Sequence, residues 1–190
     1  MRHNMIRTLA AILLIAGTVF QAEAKKRVEN FTLEDYSGKK HALADYSSSK
    51  AIVLMFIATQ CPVSNAYNDR MVQLYKDYAG KKVAFVGINS NKQESVDDIK
   101  NHAKEHGFEF PILKDWNNTV ADKLEASVTP EIFVLDKHFN VLYHGRIDDS
   151  RRESDVASRD LRVALDAVLD GKKVATEETK AFGCSIKRVK

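Results

Sequence analysis

Seven consecutive apolar residues, Ala51 to Ile57, run into Ala58-Thr-Gln-Cys61-Pro-Val-Ser-Asn-Ala-Tyr67, and this junction constrains the fold more than any other stretch. The apolar run has the length and even hydrophobicity of a strand buried on both faces. After Pro62 the apolar positions fall at Val63, Tyr67, Met71, Leu74 and Tyr78, a helical spacing. Proline is favoured at the first helical position, so Cys61 is expected at or just before a helix N-terminus. Free backbone N–H groups and the positive end of the helix dipole favour an anion there. A thiol so placed is expected to have a lowered pKa and a larger thiolate fraction. The competing reading is a buried, inert cysteine.

The chain has 190 residues, and its start reads as a separate segment. Arg2 and Arg7 precede an apolar run from Thr8 to Phe20, and Ala22-Glu23-Ala24 supplies a small-x-small pattern. This is the layout of a secretory signal peptide over residues 1–24, with cleavage expected after Ala24. The run is short for a membrane span, which needs about 20 apolar residues. A retained anchor is the alternative. Without Arg2, Arg7 and Glu23, 27 basic residues stand against 25 acidic ones. Nothing in that balance calls for nucleic acid or, after cleavage, a membrane surface. Two cysteines remain, Cys61 and Cys184. An exported chain meets an oxidising compartment, where two cysteines can pair. A core of this size does not require a staple, so a functional thiol pair competes with a structural one.

Phe31 to Leu43 reads as two short strands about a Ser37-Gly38 turn. The helix after Pro62 is expected to run unbroken to Gly80. Val83 to Ile88 is a second buried strand, and Ser95 with Asp98 forms a capping-box pattern for a helix closed by Gly107. Phe110 to Leu113 is a short strand, expected at an edge because of Pro111. Asn118 is expected to cap a short helix. Ser127-Val-Thr-Pro130 precedes a strand from Glu131 to Asp136, paired as a hairpin with Val141 to Gly145. A helix is expected from Val156 to Asp170, ended by Gly171. Residues 172–190 show little periodicity and read as a surface tail. The order ββ-β-α-β-α-β-α-β-β-α predicts an α/β fold with a mixed central sheet covered by helices on both faces.

Three features carry a resemblance. Phe56-Ile-Ala-Thr-Gln-Cys61-Pro-Val-Ser64 stands where thioredoxins have an aromatic-rich approach and a Cys-x-x-Cys pair. Thr129-Pro130, just before a strand, matches a cis-proline facing the active cysteine. Asp136, Val141 and Gly145 fit the closing hairpin. The chain resembles the thioredoxin-like superfamily over roughly Val28 to Gly171. It is most similar to the redoxin branch of alkyl-hydroperoxide-reductase/thiol-specific-antioxidant proteins and exported thioredoxin-like reductases. The resemblance implies a thioredoxin-like domain over residues 25–171, with an N-terminal β-hairpin extension and a tail carrying Cys184. It implies a thiol-based oxidoreductase whose partner is a thiol or disulfide protein, or a peroxide. Cys61 is then the nucleophile and Cys184 the candidate resolving thiol. Thr59, Pro62, Thr129, Pro130 and Arg146 are the candidate substrate-contacting residues.

Two departures qualify it. Ser64 occupies the second cysteine position of the pair, so the helix turn cannot form its own disulfide. Peroxide-reducing members carry Thr or Ser three residues before the cysteine and Pro four residues earlier still, where this chain has Ala58 and Leu54. The link from Gly171 to Cys184 can reach roughly 40 Å at full extension, so pairing with Cys61 is permitted but not required. His102 and His106 have a spacing that can hold a metal, but no third ligand is in view, and neither a metal nor a cofactor is expected. The alternatives to an enzyme are a copper-binding module through Cys61, since thiolates select Cu(I), and a non-catalytic protein-binding module.

Overall fold

The computed structural model describes residues 26–189; the expected signal peptide lies outside the described residues. The elements are β1 (Thr32–Asp35), β2 (Lys40–Ala42), β3 (Ala51–Phe56), α1 (Pro62–Asn65), α2 (Asn68–Tyr78), β4 (Val83–Asn89), α3 (Val96–His106), β5 (Ile112–Lys114), α4 (Thr119–Leu124), β6 (Val128–Thr129), β7 (Glu131–Leu135), β8 (Val141–Gly145), α5 (Asp160–Leu169) and β9 (Cys184–Ser185). Seven strands form one mixed sheet in the order β2-β1-β5-β4-β3-β7-β8, and β6 and β9 form a separate two-stranded ladder.

β3 is an internal strand, between β4 and β7, and all six of its residues are buried. Successive side chains of a strand point to opposite faces. Ala51, Val53 and Met55 therefore join the core under α2, α3 and α5, with Met71, Leu74, Ile99 and Leu161. Ile52, Leu54 and Phe56 join the other core, with Val120 and Leu124 of α4. Burying each large side chain contributes about 1.5–3 kcal/mol. β3 pairs parallel with β4 and antiparallel with β7. The second register sets Phe56 opposite Glu131. That pairing places the segment after β3, ending in Cys61, against the segment before β7, ending in Pro130.

Four local expectations are corrected. The helix after Cys61 is two helices, separated at Ala66-Tyr67. The apolar spacing persists through the break because the junction keeps near-helical dihedrals, with Tyr67 N–H donating to the Ser64 carbonyl and Met71 N–H to the Tyr67 carbonyl. The left-handed residue closing this unit is Lys82, at φ 63°, and not Gly80. β5 is internal, between β1 and β4. The strand begins after Pro111, whose carbonyl accepts from Gly87 N–H, so the missing proline donor lies outside the ladder. Asn118 takes positive φ and gives no side-chain cap to α4. Asp115 does that work, accepting from Val120 N–H (3.3 Å) and Ala121 N–H (3.0 Å).

The C-terminal half differs most. α5 starts at Asp160, four residues later than Val156, because residues 148–159 are held as a loop. The stretch after Gly171 is fixed along the body of the protein. His144 N–H donates to the Glu177 carbonyl and Thr179 N–H to the His144 carbonyl, both at 2.9 Å. Val174 and Ile186 are buried. The capping box of Ser95 and Asp98, the Gly107 cap and the β7–β8 hairpin follow the sequence pattern.

Candidate active site

Cys61 is the N-cap of α1, with Pro62 at the first helical position. Ser64 N–H donates to Cys61 Sγ at 3.3 Å. α1 is a single turn of four residues, so this direct donor, rather than a long-helix dipole, is what favours negative charge on the sulfur. Ser64 Oγ accepts from Ala58 N–H (3.2 Å), and Asn65 Nδ2 donates to the Thr59 carbonyl (2.9 Å). These bonds fold the 58–61 turn back over the helix start. Ser64, the departure from a Cys-x-x-Cys pair, here serves as a hinge pin of that turn.

Beneath the turn lies a carboxylate from the loop between β4 and α3. Glu94 is fully buried. Its carboxylate accepts from Thr59 N–H (2.8 Å), Gln60 N–H (3.1 Å) and Asn91 Nδ2 (2.9 Å), and also from Asn89 Nδ2. Lys114, also buried, donates to Asn89 Oδ1 (2.9 Å) and to the Asn91 carbonyl (2.6 Å). Burial pushes the Lys114 ammonium pKa down, and the nearby carboxylates of Glu94 and Asp115 oppose that shift. The only sequence cue to Glu94 was its place directly before the Ser95 cap. Replacing Glu94 by alanine removes the acceptor of two part-buried turn N–H groups and of the buried Asn89 and Asn91 amides, at about 0.5–1.5 kcal/mol per bond. Denaturant unfolding of Glu94→Ala is expected to show a loss of roughly 3 kcal/mol, and a loss within 0.5 kcal/mol would mean water satisfies the turn.

Thr129-Pro130 is a cis peptide bond. The Thr129 carbonyl oxygen lies 3.3 Å from Cys61 Sγ and is positioned to accept from a thiol there. The next residue, Glu131, is buried and holds the loop from below. It accepts from Ser127 N–H (2.7 Å) and Val128 N–H (3.1 Å), and His144 Nε2 lies 2.6 Å from its other oxygen. Burial alone would raise the Glu131 pKa, but the bonds from His144 and the two backbone donors outweigh it and hold the pKa below 4.5. The sign of the linkage follows: stability from Glu131 is present above about 4.5 and is lost as pH falls through the lower folded pKa. The variant Glu131→Gln is expected to flatten the acid limb of a stability–pH profile between pH 5 and 2, roughly the range over which such groups titrate.

Cys184 reaches this site through β9. It pairs antiparallel with β6, with Thr129 opposite Cys184 and Val128 opposite Ser185. The structure joins Cys61 to Cys184 as a disulfide, with Cα atoms 5.9 Å apart. The tail therefore occupies the backbone edge at Thr129. Ile186 N–H donates to the Ser127 carbonyl (2.9 Å), and Lys187 N–H to Asn91 Oδ1 (2.7 Å). A Cβ at Gly183 would overlap the Thr129 carbonyl oxygen, so only glycine lets the strand approach this closely. The variant Gly183→Ala is expected to part β9 from β6 and to slow Cys61–Cys184 bond formation at least about ten-fold, which timed thiol trapping would read.

The structure brings Thr59, Pro62, Thr129 and Pro130 together around Cys61 and Cys184, but it places Arg146 in a different pairing. Arg146 Nε donates to Asp160 Oδ2 at 2.8 Å, tying the end of β8 to the start of α5. That carboxylate holds the guanidinium pKa above its ordinary value. His102 and His106 lie ring to ring at 4.4 Å against Phe108; burial first, and His106 second, hold the His102 pKa down.

Residues 24–144 match the AhpC/TSA family model. The chain is 30% identical to the Thiol-disulfide oxidoreductase ResA of Bacillus subtilis (strain 168), over 74% of this chain and 83% of that one. It superimposes on the crystal structure of a hypothetical protein from Sinorhizobium meliloti 1021 with a TM-score of 0.82, at 35% identity, covering 89% of this chain and 96% of the other. Peroxidoxin BcpB from Mycobacterium tuberculosis shares the fold, with a TM-score of 0.57 at 24% identity over 77% of this chain and 93% of that one. A cysteine at the turn between β3 and α1, a cis-proline facing it and these likenesses converge: the chain belongs to the AhpC/TSA family, as a thioredoxin-fold redoxin of the thiol–disulfide oxidoreductase and peroxiredoxin-like group.

Proposed function

We propose that this protein is an exported thiol–disulfide oxidoreductase in which Cys61 is the nucleophile and Cys184 the resolving thiol. The observation that carries the reading is the juxtaposition of the two sulfurs across the Thr129 edge. In the reduced protein, the Cys61 thiolate attacks one sulfur of a substrate disulfide. A mixed disulfide forms and the other substrate sulfur leaves as thiolate. Cys184 then attacks Cys61 Sγ, the Cys61–Cys184 bond forms, and the second substrate thiolate departs. Ser64 N–H supports charge on Cys61 whenever it is attacking or leaving. Thr59, Pro62, Thr129 and Pro130 line the approach, and Arg146, paired with Asp160, has no part in it. Export rests on the signal-like pattern of residues 1–24, and the periplasm of a bacterial cell is an oxidising setting that suits such a pair.

Peroxide reduction is the second reading. Thr59 Oγ1 and Thr129 Oγ1 are buried without a hydrogen-bond partner among the described residues, and either hydroxyl can bond a peroxide oxygen. Ala58 and Leu54, in place of the peroxidatic Thr or Ser and Pro, weigh against it. One experiment separates the two. The reduced protein is exposed for seconds either to dilute hydrogen peroxide or to oxidised glutathione, thiols are trapped, and intact mass is read. Loss of two hydrogens with oxidised glutathione, and free thiols under peroxide, is the expected result. Rapid loss under peroxide alone would transfer the assignment to the peroxidase branch. N-terminal sequencing of protein from the periplasmic fraction, beginning at Lys25, is the matching test of export.

A further inference from the structure

The two sulfurs of the bond are not equivalent to an incoming reductant. Cys61 is 3% exposed, enclosed by the 58–61 turn, α1 and the tail, whereas Cys184 is only partly buried. Its neighbours Gly183 and Ser185 are exposed. The leaving groups also differ. Cys61 Sγ accepts from Ser64 N–H, a donor that supports negative charge on it as it departs. Thiol–disulfide exchange is faster when the attacked sulfur is accessible and the departing one has the lower pKa. Access and leaving-group stability therefore select the same sulfur.

We infer that electrons enter this protein at Cys184, the tail sulfur, and that the donor is a dithiol whose attacking thiolate docks against the outer face of Gly183–Ser185. This inference rests on the redox role proposed above for the Cys61–Cys184 pair. The donor thiolate attacks Cys184 Sγ, a donor–Cys184 bond forms, the Cys61–Cys184 bond breaks, and Cys61 leaves with the electron pair. The donor's second thiolate then attacks its own bonded sulfur. An intramolecular donor disulfide forms, Cys184 leaves as thiolate, and a proton from solvent completes the thiol. Two electrons pass from the donor to the pair. A dithiol is required because the freed Cys61 remains next to Cys184 and would expel a monothiol donor. The tail keeps that proximity after the bond opens, because Thr179, Ile186, Lys187 and Val189 are held by hydrogen bonds that do not involve sulfur.

The test uses the oxidised full-length mature protein and glutathione, a monothiol whose first adduct is trapped by capping the freed protein thiol before it can expel the glutathione. Iodoacetamide is present throughout to cap the released thiol, and acid-quenched peptides are mapped by mass spectrometry. The expected result is glutathione on the Cys184 peptide and carbamidomethyl on Cys61, in excess over the reverse pattern by about ten-fold. The reverse pattern, or an even mixture, overturns the inference while leaving the redox role intact. No adduct on either cysteine, with the bond opened only after denaturation, identifies an inaccessible staple and overturns both.

Discussion

Replacing Cys184 by serine is expected to leave a folded protein that reacts once with a disulfide substrate and then stalls as a mixed disulfide on Cys61. The fold should persist because β9 is seated by Ile186, by backbone bonds to Ser127 and by the Lys187 bond to Asn91, none of which needs the sulfur. Turnover should fall by about 100-fold or more. A thiol fixed with its Cα 5.9 Å from that of Cys61 acts at an effective concentration far above any millimolar external thiol. Serine has no comparable nucleophile, so release must wait for an external thiol. The check is single- and multiple-turnover kinetics with a disulfide substrate, together with intact mass of the stalled species. A burst of one equivalent followed by slow turnover fits the resolving role. Unchanged steady-state turnover would show that substrate thiols or a partner resolve the intermediate, and Cys184 would then be a staple.

The nucleophile's half of this arrangement is legible in the sequence, because its determinants are local. A continuous apolar run, a turn, Cys61 and Pro62 set the strand, the helix start and the sulfur within a dozen residues. The same holds for the Ser95–Asp98 capping box and for the hairpin around Lys137 to Asn140. The tail is different. Its contacts are made one residue at a time by an extended chain crossing several elements: Thr179 on β8, Gly183 against Thr129, Ile186 in the α4 core and Lys187 on Asn91. Such a path leaves no period in the sequence, so residues 172–190 read as a loose surface segment. Glu94 escaped for a related reason. A lone acidic residue in a polar loop carries no local sign that two turn N–H groups will be brought to it from 34 and 35 residues away. Arg146 shows the converse, where a cation near the expected site belongs to Asp160 once α5 is in place.

The largest stability effect is expected at a pair that touches neither sulfur. Arg70 and Asp148 are both buried, at 7% and 2% exposure, and Arg70 Nη1 donates to both carboxylate oxygens at 2.8 and 2.6 Å. The same guanidinium donates to the carbonyls of Ser150 (2.8 Å), Arg151 (2.6 Å) and Ala66 (3.2 Å). It therefore fastens the 148–151 loop to the junction where α1 ends and α2 begins. Removing one partner of a buried pair leaves an uncompensated charge, and Arg70→Ala or Asp148→Ala is expected to cost about 3–5 kcal/mol. In a chain of this size that corresponds to a fall in melting temperature on the order of 10 °C. The double variant Arg70→Met/Asp148→Leu should recover much of the loss, because it removes both charges and refills the volume. A loss under 1 kcal/mol in either single variant would show that water already shares the pair. The consequence extends to the chemistry through packing. The Arg70 guanidinium lies 3.7 Å above the Tyr67 ring, and Tyr67 packs edge-on against Phe182 of the tail. Loosening Arg70 thus frees the aromatic contact two residues before Cys184. Formation of the Cys61–Cys184 bond should slow in the single variants and return toward the native rate in the double variant if stability alone is responsible. A rate that stays slow after stability is restored would assign the Arg70–Tyr67–Phe182 stack a separate role in holding the tail over Cys61.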